Sequence, residues 1–247
     1  HLIMSTRIGW VNNCWGSLDE LTIPIHDRGL NYADGIFETI LIWNGVPLLL
    51  NEHLNRWRRS AQALSMADPP REKAILSLIN EGINLYPLTK GIGSIRLNWS
   101  RGHNIKRGID LPHKQPNPSS HLFWLEINSI KMDFNPISTM ISYREKRNAS
   151  SQLALHKTFA YTQSIQIRQE AKNCGYDEAL IESTNGGICC GAIANLIVKR
   201  NNKYLTPDLR SGCLPGIMRE QGIISGLIKE QFIERIPRAD DQWLLIN

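Results

Sequence analysis

Apolar positions along this chain recur with two periods. Over residues 94–100 they alternate, through Ile95, Leu97 and Trp99, which is the period of a strand with one buried face. From Leu54 they step by three and four, through Trp57 and Ala61 to Leu64, which is the stripe of a helix lying on a core. Asn51 stands where that helix needs an N-cap. Further strand-like runs cover residues 8–11, 21–25, 36–43 and 46–50, and the Asn44-Gly45 pair between the last two predicts a hairpin. Beyond residue 120 the pattern predicts strands at 121–125, 139–143, 178–182, 195–200 and 204–206, with turns at Asn185-Gly186 and Asn201-Asn202. A helix is expected after Lys157, with Ala160, Ser164, Ile167 and Ala171 on one face and Gly175 as its C-terminal cap. A last helix follows Pro215-Gly216 and is expected to bury Ile217, Ile224, Leu227 and Ile228. Strands grouped in hairpins with helices between the groups predict an α+β fold.

Composition narrows the class. The 247 residues are 42% hydrophobic and 21% charged, which suits a packed globular chain and excludes collagen, coiled coil and disorder. No window approaches 18 uncharged apolar residues, so no membrane span is expected. The net charge of +5 permits an anionic ligand and gives little ground for nucleic acid. The five cysteines, Cys14, Cys174, Cys189, Cys190 and Cys213, follow neither a disulfide framework nor a metal spacing. They read as reduced thiols of a cytoplasmic protein, and no metal is expected. His1 to Ile3, ahead of Met4, are set aside from the fold. Three prolines among residues 110–120 mark a linker, dividing the chain into lobes at 4–109 and 121–247.

Lys157 is the leading candidate for chemistry. It lies in Leu153-Ala-Leu-His-Lys-Thr-Phe-Ala-Tyr161, with apolar neighbours upstream. A desolvated lysine amine has its lone pair available for condensation with an aldehyde. A solvated surface charge is the alternative for an isolated lysine.

Four further segments give the chain a resemblance. They are Asp27-Arg-Gly-Leu-Asn-Tyr-Ala-Asp-Gly-Ile-Phe-Glu-Thr39, Glu52-His-Leu-Asn-Arg56, Gly175-Tyr-Asp-Glu-Ala-Leu180, and Asn185-Gly-Gly-Ile-Cys-Cys-Gly-Ala-Ile-Ala-Asn195 with Leu214-Pro-Gly-Ile-Met-Arg219. In this order, with Lys157, they resemble the class IV aminotransferases, the fold-type IV pyridoxal-phosphate enzymes. That family includes branched-chain and D-amino-acid aminotransferases and 4-amino-4-deoxychorismate lyase. The resemblance implies two α+β lobes of the D-amino-acid-aminotransferase type, the cofactor in the cleft between them, and a homodimer. It implies that Lys157 joins the cofactor aldehyde and moves the substrate proton. Arg56 and the backbone amides of Ile217 and Met218 would hold the phosphate, Tyr161 would face the phenolic oxygen, and Cys190 would stand beside the ring nitrogen. Tyr32 and Phe37 would line the substrate side. A +4 helical spacing would put Tyr161 on the face of Lys157. Without the resemblance, Arg56 reads equally as part of a solvated basic face (Arg56-Trp-Arg-Arg59) and Tyr161 as core.

Three departures bear on activity. The family carries a glutamate at Cys190, and a neutral thiol with an ordinary pKa of about 8.5 partners a pyridinium poorly. Met218 replaces a hydroxyl residue, removing one hydrogen bond to a charged group, about 1.5–3 kcal/mol. Relatives continue beyond Gln242-Trp-Leu-Leu-Ile-Asn247 with a hydroxyl residue at the phosphate. Arg101 and Arg107, in Ser100-Arg-Gly-His-Asn-Ile-Lys-Arg-Gly108, resemble a loop of the lyase branch and suit a small anionic amino substrate with two carboxylates. The expected activity is conversion of 4-amino-4-deoxychorismate to 4-aminobenzoate and pyruvate, a step toward folate. A branched-chain or D-amino-acid aminotransferase is the alternative within the family, and a non-catalytic anion-binding or partner-binding relative the alternative outside it.

Overall fold

A computed structural model describes residues 7–86, 88, 90–103, 106–111 and 115–247. The chain divides into two units, the first running to Phe134 with Lys157–Phe159 added, the second comprising Asn135–His156 and Ala160–Asn247.

In the first unit the elements are β1 (Arg7–Val11), β2 (Cys14–Ser17), α1 (Arg28–Tyr32), β3 (Gly35–Trp43), β4 (Val46–Pro47), α2 (Leu50–Ala63), α3 (Glu72–Leu85), β5 (Ile92–Ser100) and β6 (Leu122–Ser129). The strands form one six-stranded antiparallel sheet in the order β2-β1-β6-β5-β3-β4. Period-2 alternation sends Ile36, Ile40, Ile42, Ile95, Leu97, Leu125 and Ile127 to one face, where they meet Trp57 of α2 and Ile75 and Ile79 of α3 in a single core. Each such side chain, fully buried, contributes about 1.5–3 kcal/mol. The opposite face carries Phe37 and Arg96. Asn44 and Gly45 both adopt positive φ, as the expected β3–β4 hairpin requires.

Several boundaries differ from the sequence reading. β6 pairs with β1 and β5, so the first unit extends past residues 110–120 to Phe134. The proline-rich segment therefore connects two strands of one sheet, and Pro112, His113 and Lys114 within it lie outside the described residues. Residues 21–25 form no strand. Asn51 lies inside α2, whose N-cap is Leu49 with no side-chain bond. α3 was not anticipated, although Ile75, Ile79 and Ile83 recur at helical spacing and are buried.

The second unit contains β7 (Thr139–Arg147), α4 (Thr162–Asn173), β8 (Glu178–Ser183), β9 (Ile188–Gly191), β10 (Asn195–Arg200), β11 (Lys203–Thr206), α5 (Ile217–Ile224), β12 (Ile228–Glu230) and β13 (Gln242–Ile246). Its sheet runs β12-β11-β10-β9-β8-β7, with β13 also paired to β10. Ala179 and Ile181 pack with Ile167 and Ala171 of α4, while Leu180 packs with Leu196 and Val198. Burial on both faces suits the apolar centre of β8, Ala179 to Ile181. Gly175, at φ 82, follows the α4 C-cap as expected. The last helix is shorter than expected. Ile217 is buried, but Ile224 and Leu227 are exposed and Ile228 belongs to β12. Among the described residues no helix is long and apolar enough to cross a membrane.

Candidate functional site

In the first unit the seat of Lys157 is made by strand pairing. The N–H of Phe37 donates to the Lys157 carbonyl at 3.0 Å, and the N–H of Phe159 donates to the Gly35 carbonyl at 3.0 Å. Thr158 bridges Ile36 between them. Phe159 lies so close over β3 that a β-carbon at Gly35 would come within 2.2 Å of its ring, so only glycine fits there. The Lys157 Nζ is 4.6 Å from the centroid of Phe37, and the Arg96 guanidinium carbon is 3.7 Å from the same centroid. Attraction to the ring contributes about 0.5–2 kcal/mol for each cation. Lys157 is half-buried. Its segment is extended, and α4 begins only at Thr162 with Tyr161 as N-cap. The helical +4 relation between Lys157 and Tyr161 therefore does not hold, because pairing with β3 takes precedence over local helix formation.

Arg56 is buried on α2, unlike its exposed neighbours Arg58 and Arg59. Its Nε and Nη2 donate to the two oxygens of Glu38 at 2.7 and 2.6 Å, and His53 Nδ1 lies 2.7 Å from Glu38 Oε2. Burial favours the neutral form of Glu38, but the hydrogen bonds from His53 and Arg56 outweigh it and hold the carboxyl below its ordinary range.

The other predicted residues of this unit separate. Phe37 is buried against Lys157, whereas Tyr32 is 46% exposed beneath Arg28. Arg101 corrects its expected substrate role. Its Nε donates to Asp34 at 2.8 Å, Nη1 to the Ser65 carbonyl and Nη2 to the Leu64 carbonyl, both at 2.7 Å, so its fork is engaged by the protein itself. Arg107 is exposed; Asn104 and Ile105, in the same loop, lie outside the described residues.

In the second unit Cys190 lies buried in β9, in one cluster with Cys189 and Cys213. Its thiol is pulled down by a hydrogen bond with Cys189 and by the charge of Arg147, against the opposing effect of burial. Arg147 also donates to Gln163 Oε1 at 2.6 Å. α5 starts at Ile217 with Gly216 as N-cap and no side-chain cap. The N–H of Glu220 is bonded back to the Gly216 carbonyl at 2.9 Å, whereas the first helical amides, those of Ile217 and Met218, have no partner within a helix by its geometry. A β-carbon at Gly216 would come 2.0 Å from Asn195 Oδ1, while Asn195 Nδ2 donates to the Leu214 carbonyl at 2.9 Å. This packing fixes the entry to the helix. Ile217 is buried and the Met218 side chain is 49% exposed. A separate cavity of about 220 Å³, lined in part by Asn185, Ile188, Asp208, Arg210 and Phe232, includes none of the predicted residues.

Comparison with known proteins decides the family. The amino-transferase class IV pattern matches residues 35–245. The chain belongs to the class IV aminotransferases. Aminodeoxychorismate lyase of Bacillus subtilis (strain 168) is 24% identical over 245 residues, covering 95% of this chain and 81% of that protein. D-alanine aminotransferase of Bacillus licheniformis is 24% identical over 200 residues, covering 81% and 68%. The PLP-bound form of a hypothetical aminotransferase from Mycobacterium tuberculosis superposes with a TM-score of 0.80 at 18% identity, over 97% of this chain and 86% of that one.

This class IV aminotransferase is a two-unit α+β, fold-type IV enzyme whose cofactor is pyridoxal 5'-phosphate. Its donors suit that group chemically. The first unit offers an amine for an aldehyde and a buried guanidinium, and the second offers uncapped amides at a helix N-terminus, a setting that stabilises phosphate. Arg96 is the residue the sequence reading passed over. Its signal was available in the alternation of residues 94–100, which places a cation on the face opposite the buried Ile95 and Leu97.

Proposed function

We propose that this class IV enzyme is a lyase that converts 4-amino-4-deoxychorismate to 4-aminobenzoate and pyruvate. The observation carrying this reading is the buried Cys190 with the half-buried Arg147 beside it, at the position where the resemblance puts a carboxylate beside the ring nitrogen. A carboxylate keeps that nitrogen protonated. Cys190 offers no carboxylate there, and the neighbouring Arg147 cation disfavours a proton on that nitrogen. A weaker electron sink limits transamination more than an elimination driven by aromatisation.

When bound, pyridoxal phosphate supplies the aldehyde and the electron-accepting ring. In the first unit Arg56 would hold its phosphate; in the second, the amides of Ile217 and Met218 would offer donors to a phosphate and Tyr161 a partner for the phenolic oxygen. Lys157 Nζ, placed by the backbone pairing and the Phe37 ring, takes the proton from the substrate carbon that bears the amine. The enolpyruvyl C–O bond then breaks and pyruvate departs with a proton. Arg107 and Arg96 meet the two carboxylates, and Tyr32 and Phe37 border the ring. Exposed Ile25, Leu30 and Ile109 near α1 suit burial in a homodimer, and the five free thiols suit a reducing cytoplasm.

The test compares 4-aminobenzoate release with 2-oxoglutarate-dependent transamination on the purified, cofactor-loaded protein. Lyase turnover with amino-acid transamination at least a hundredfold slower is the expected result. Efficient transamination of D-alanine or leucine without 4-aminobenzoate release would replace this reading with the aminotransferase one.

A further inference from the structure

Arg28 has no part in the chemistry proposed above, yet it is one of the most enclosed cations in the first unit, at 4% exposure. Its Nε donates to Asp34 Oδ2 at 2.7 Å. Nη2 donates to the Ile109 carbonyl at 2.9 Å and Nη1 to the Gly108 carbonyl at 3.4 Å, both about 80 positions along the chain. Its own backbone N–H donates to the Gly102 carbonyl at 2.6 Å. Arg28 thus meets the loop that carries Arg107 on both sides, at Gly102 before it and at Gly108 and Ile109 immediately after it. Its guanidinium carbon also lies 5.3 Å from the centroid of Tyr32. One fork therefore touches a fixed carboxylate, the carbonyls of a loop and an aromatic ring. A planar guanidinium can span such acceptors together, and a single ammonium cannot.

We propose that Arg28 is a positioning residue that clamps Gly102, Gly108 and Ile109 against α1 and so holds Arg107 where a substrate carboxylate is bound. The assignment of Arg107 to the substrate rests on the lyase reading; the clamp itself does not. A loop whose main-chain carbonyls are fixed presents its side chain at a lower entropic cost on binding. Asp34 supplies the fixed end, because its Oδ2 also receives Arg101 Nε at 2.8 Å and Arg101 is tied to the carbonyls of Ser65 and Leu64.

The test uses the full-length, cofactor-loaded protein with Arg28→Lys, Arg107→Ala and the double variant. Amide hydrogen exchange across residues 106–111 reads the clamp without any substrate. It is expected to rise at least tenfold in R28K, with exchange in α2 and in β7 to β10 unchanged. Unaltered exchange in the loop overturns the clamp whatever the enzyme catalyses. With 4-amino-4-deoxychorismate as the probe, R28K is expected to raise KM about tenfold with kcat within twofold. The double variant should be no worse in KM than R107A alone, because both changes remove the same interaction. A merely structural role would instead lower kcat and KM effects together or add to R107A, and either result overturns the positioning role. A wild-type protein that releases no 4-aminobenzoate overturns the lyase reading and the substrate half of this proposal, while the exchange result still decides the clamp.

Discussion

Two carboxylate clusters, one around buried Glu38 and one around half-buried Asp34, lie in the first unit and are built on opposite plans. Glu38 spends both oxygens on one guanidinium, that of Arg56, and shares one of them with His53. Asp34 spends a single oxygen on two guanidinia, those of Arg28 and Arg101, whose remaining donors go to backbone carbonyls. The first plan fixes the orientation of one cation. The second ties separate stretches of chain together. Arginines with similar burial therefore take different roles, and the partners of their outer donors distinguish them better than burial does.

The largest expected break in this comparison is Arg56→Met. Glu38, only 1% exposed as a side chain, would keep His53 alone. Removing one partner of a buried ion pair costs about 3–5 kcal/mol, which urea unfolding of the cofactor-free protein would read. Cofactor affinity, from titration of the absorbance of bound pyridoxal phosphate, should fall with it. A stable variant with unchanged affinity would remove Arg56 from the phosphate site.

Arg101→Met should cost less. Asp34 keeps Arg28, and the principal loss is the set of bonds to Asp34, Ser65 and Leu64, about 1.5–3 kcal/mol for hydrogen bonds to a charged group. Cofactor affinity should stay within twofold. A loss of affinity as large as that of the Arg56 variant would erase the distinction between the clusters.

Acid provides the mildest test. Burial works against ionisation of both carboxylates, but hydrogen bonds from Arg101 and Arg28 to Asp34, and from His53 and Arg56 to Glu38, lower each below its ordinary value of 3.8 or 4.5. A group with a depressed folded pKa stabilises the fold above its unfolded value and loses that contribution as pH falls through the folded one. Stability measured by urea midpoint should therefore decline below about pH 4.5. The decline should be shallower in the Arg56 variant, where Glu38 has lost the guanidinium.

What the sequence made legible was local. The Asn44-Gly45 turn, the Trp57 and Ala61 stripe and the Gly175 cap each follow from a few neighbouring residues, and all three stand in the structure. The discrepancies arose from partners distant in the chain. The apolar neighbours and following helix of Lys157 suggested a helical setting, but Gly35 and Phe37 draw its segment into an extended pairing. β6 looked like the start of a second lobe because its partners, β1 and β5, lie on the other side of the proline-rich segment. Arg101 matched a substrate loop by type, and no sequence pattern shows that Asp34, Ser65 and Leu64 engage its fork. The site cations were legible as residue types; which of them face the protein and which a ligand depends on these long-range contacts.

The central claim is that the Lys157 amine condenses with the cofactor. Borohydride reduction of the protein loaded with pyridoxal phosphate, followed by peptide mass analysis, tests it directly. The predicted result is one reduced pyridoxyl phosphate on the peptide containing Lys157, absent from Lys157→Ala. An adduct confined to other lysines, such as Lys146 or Lys172, or no adduct at all, would contradict the account.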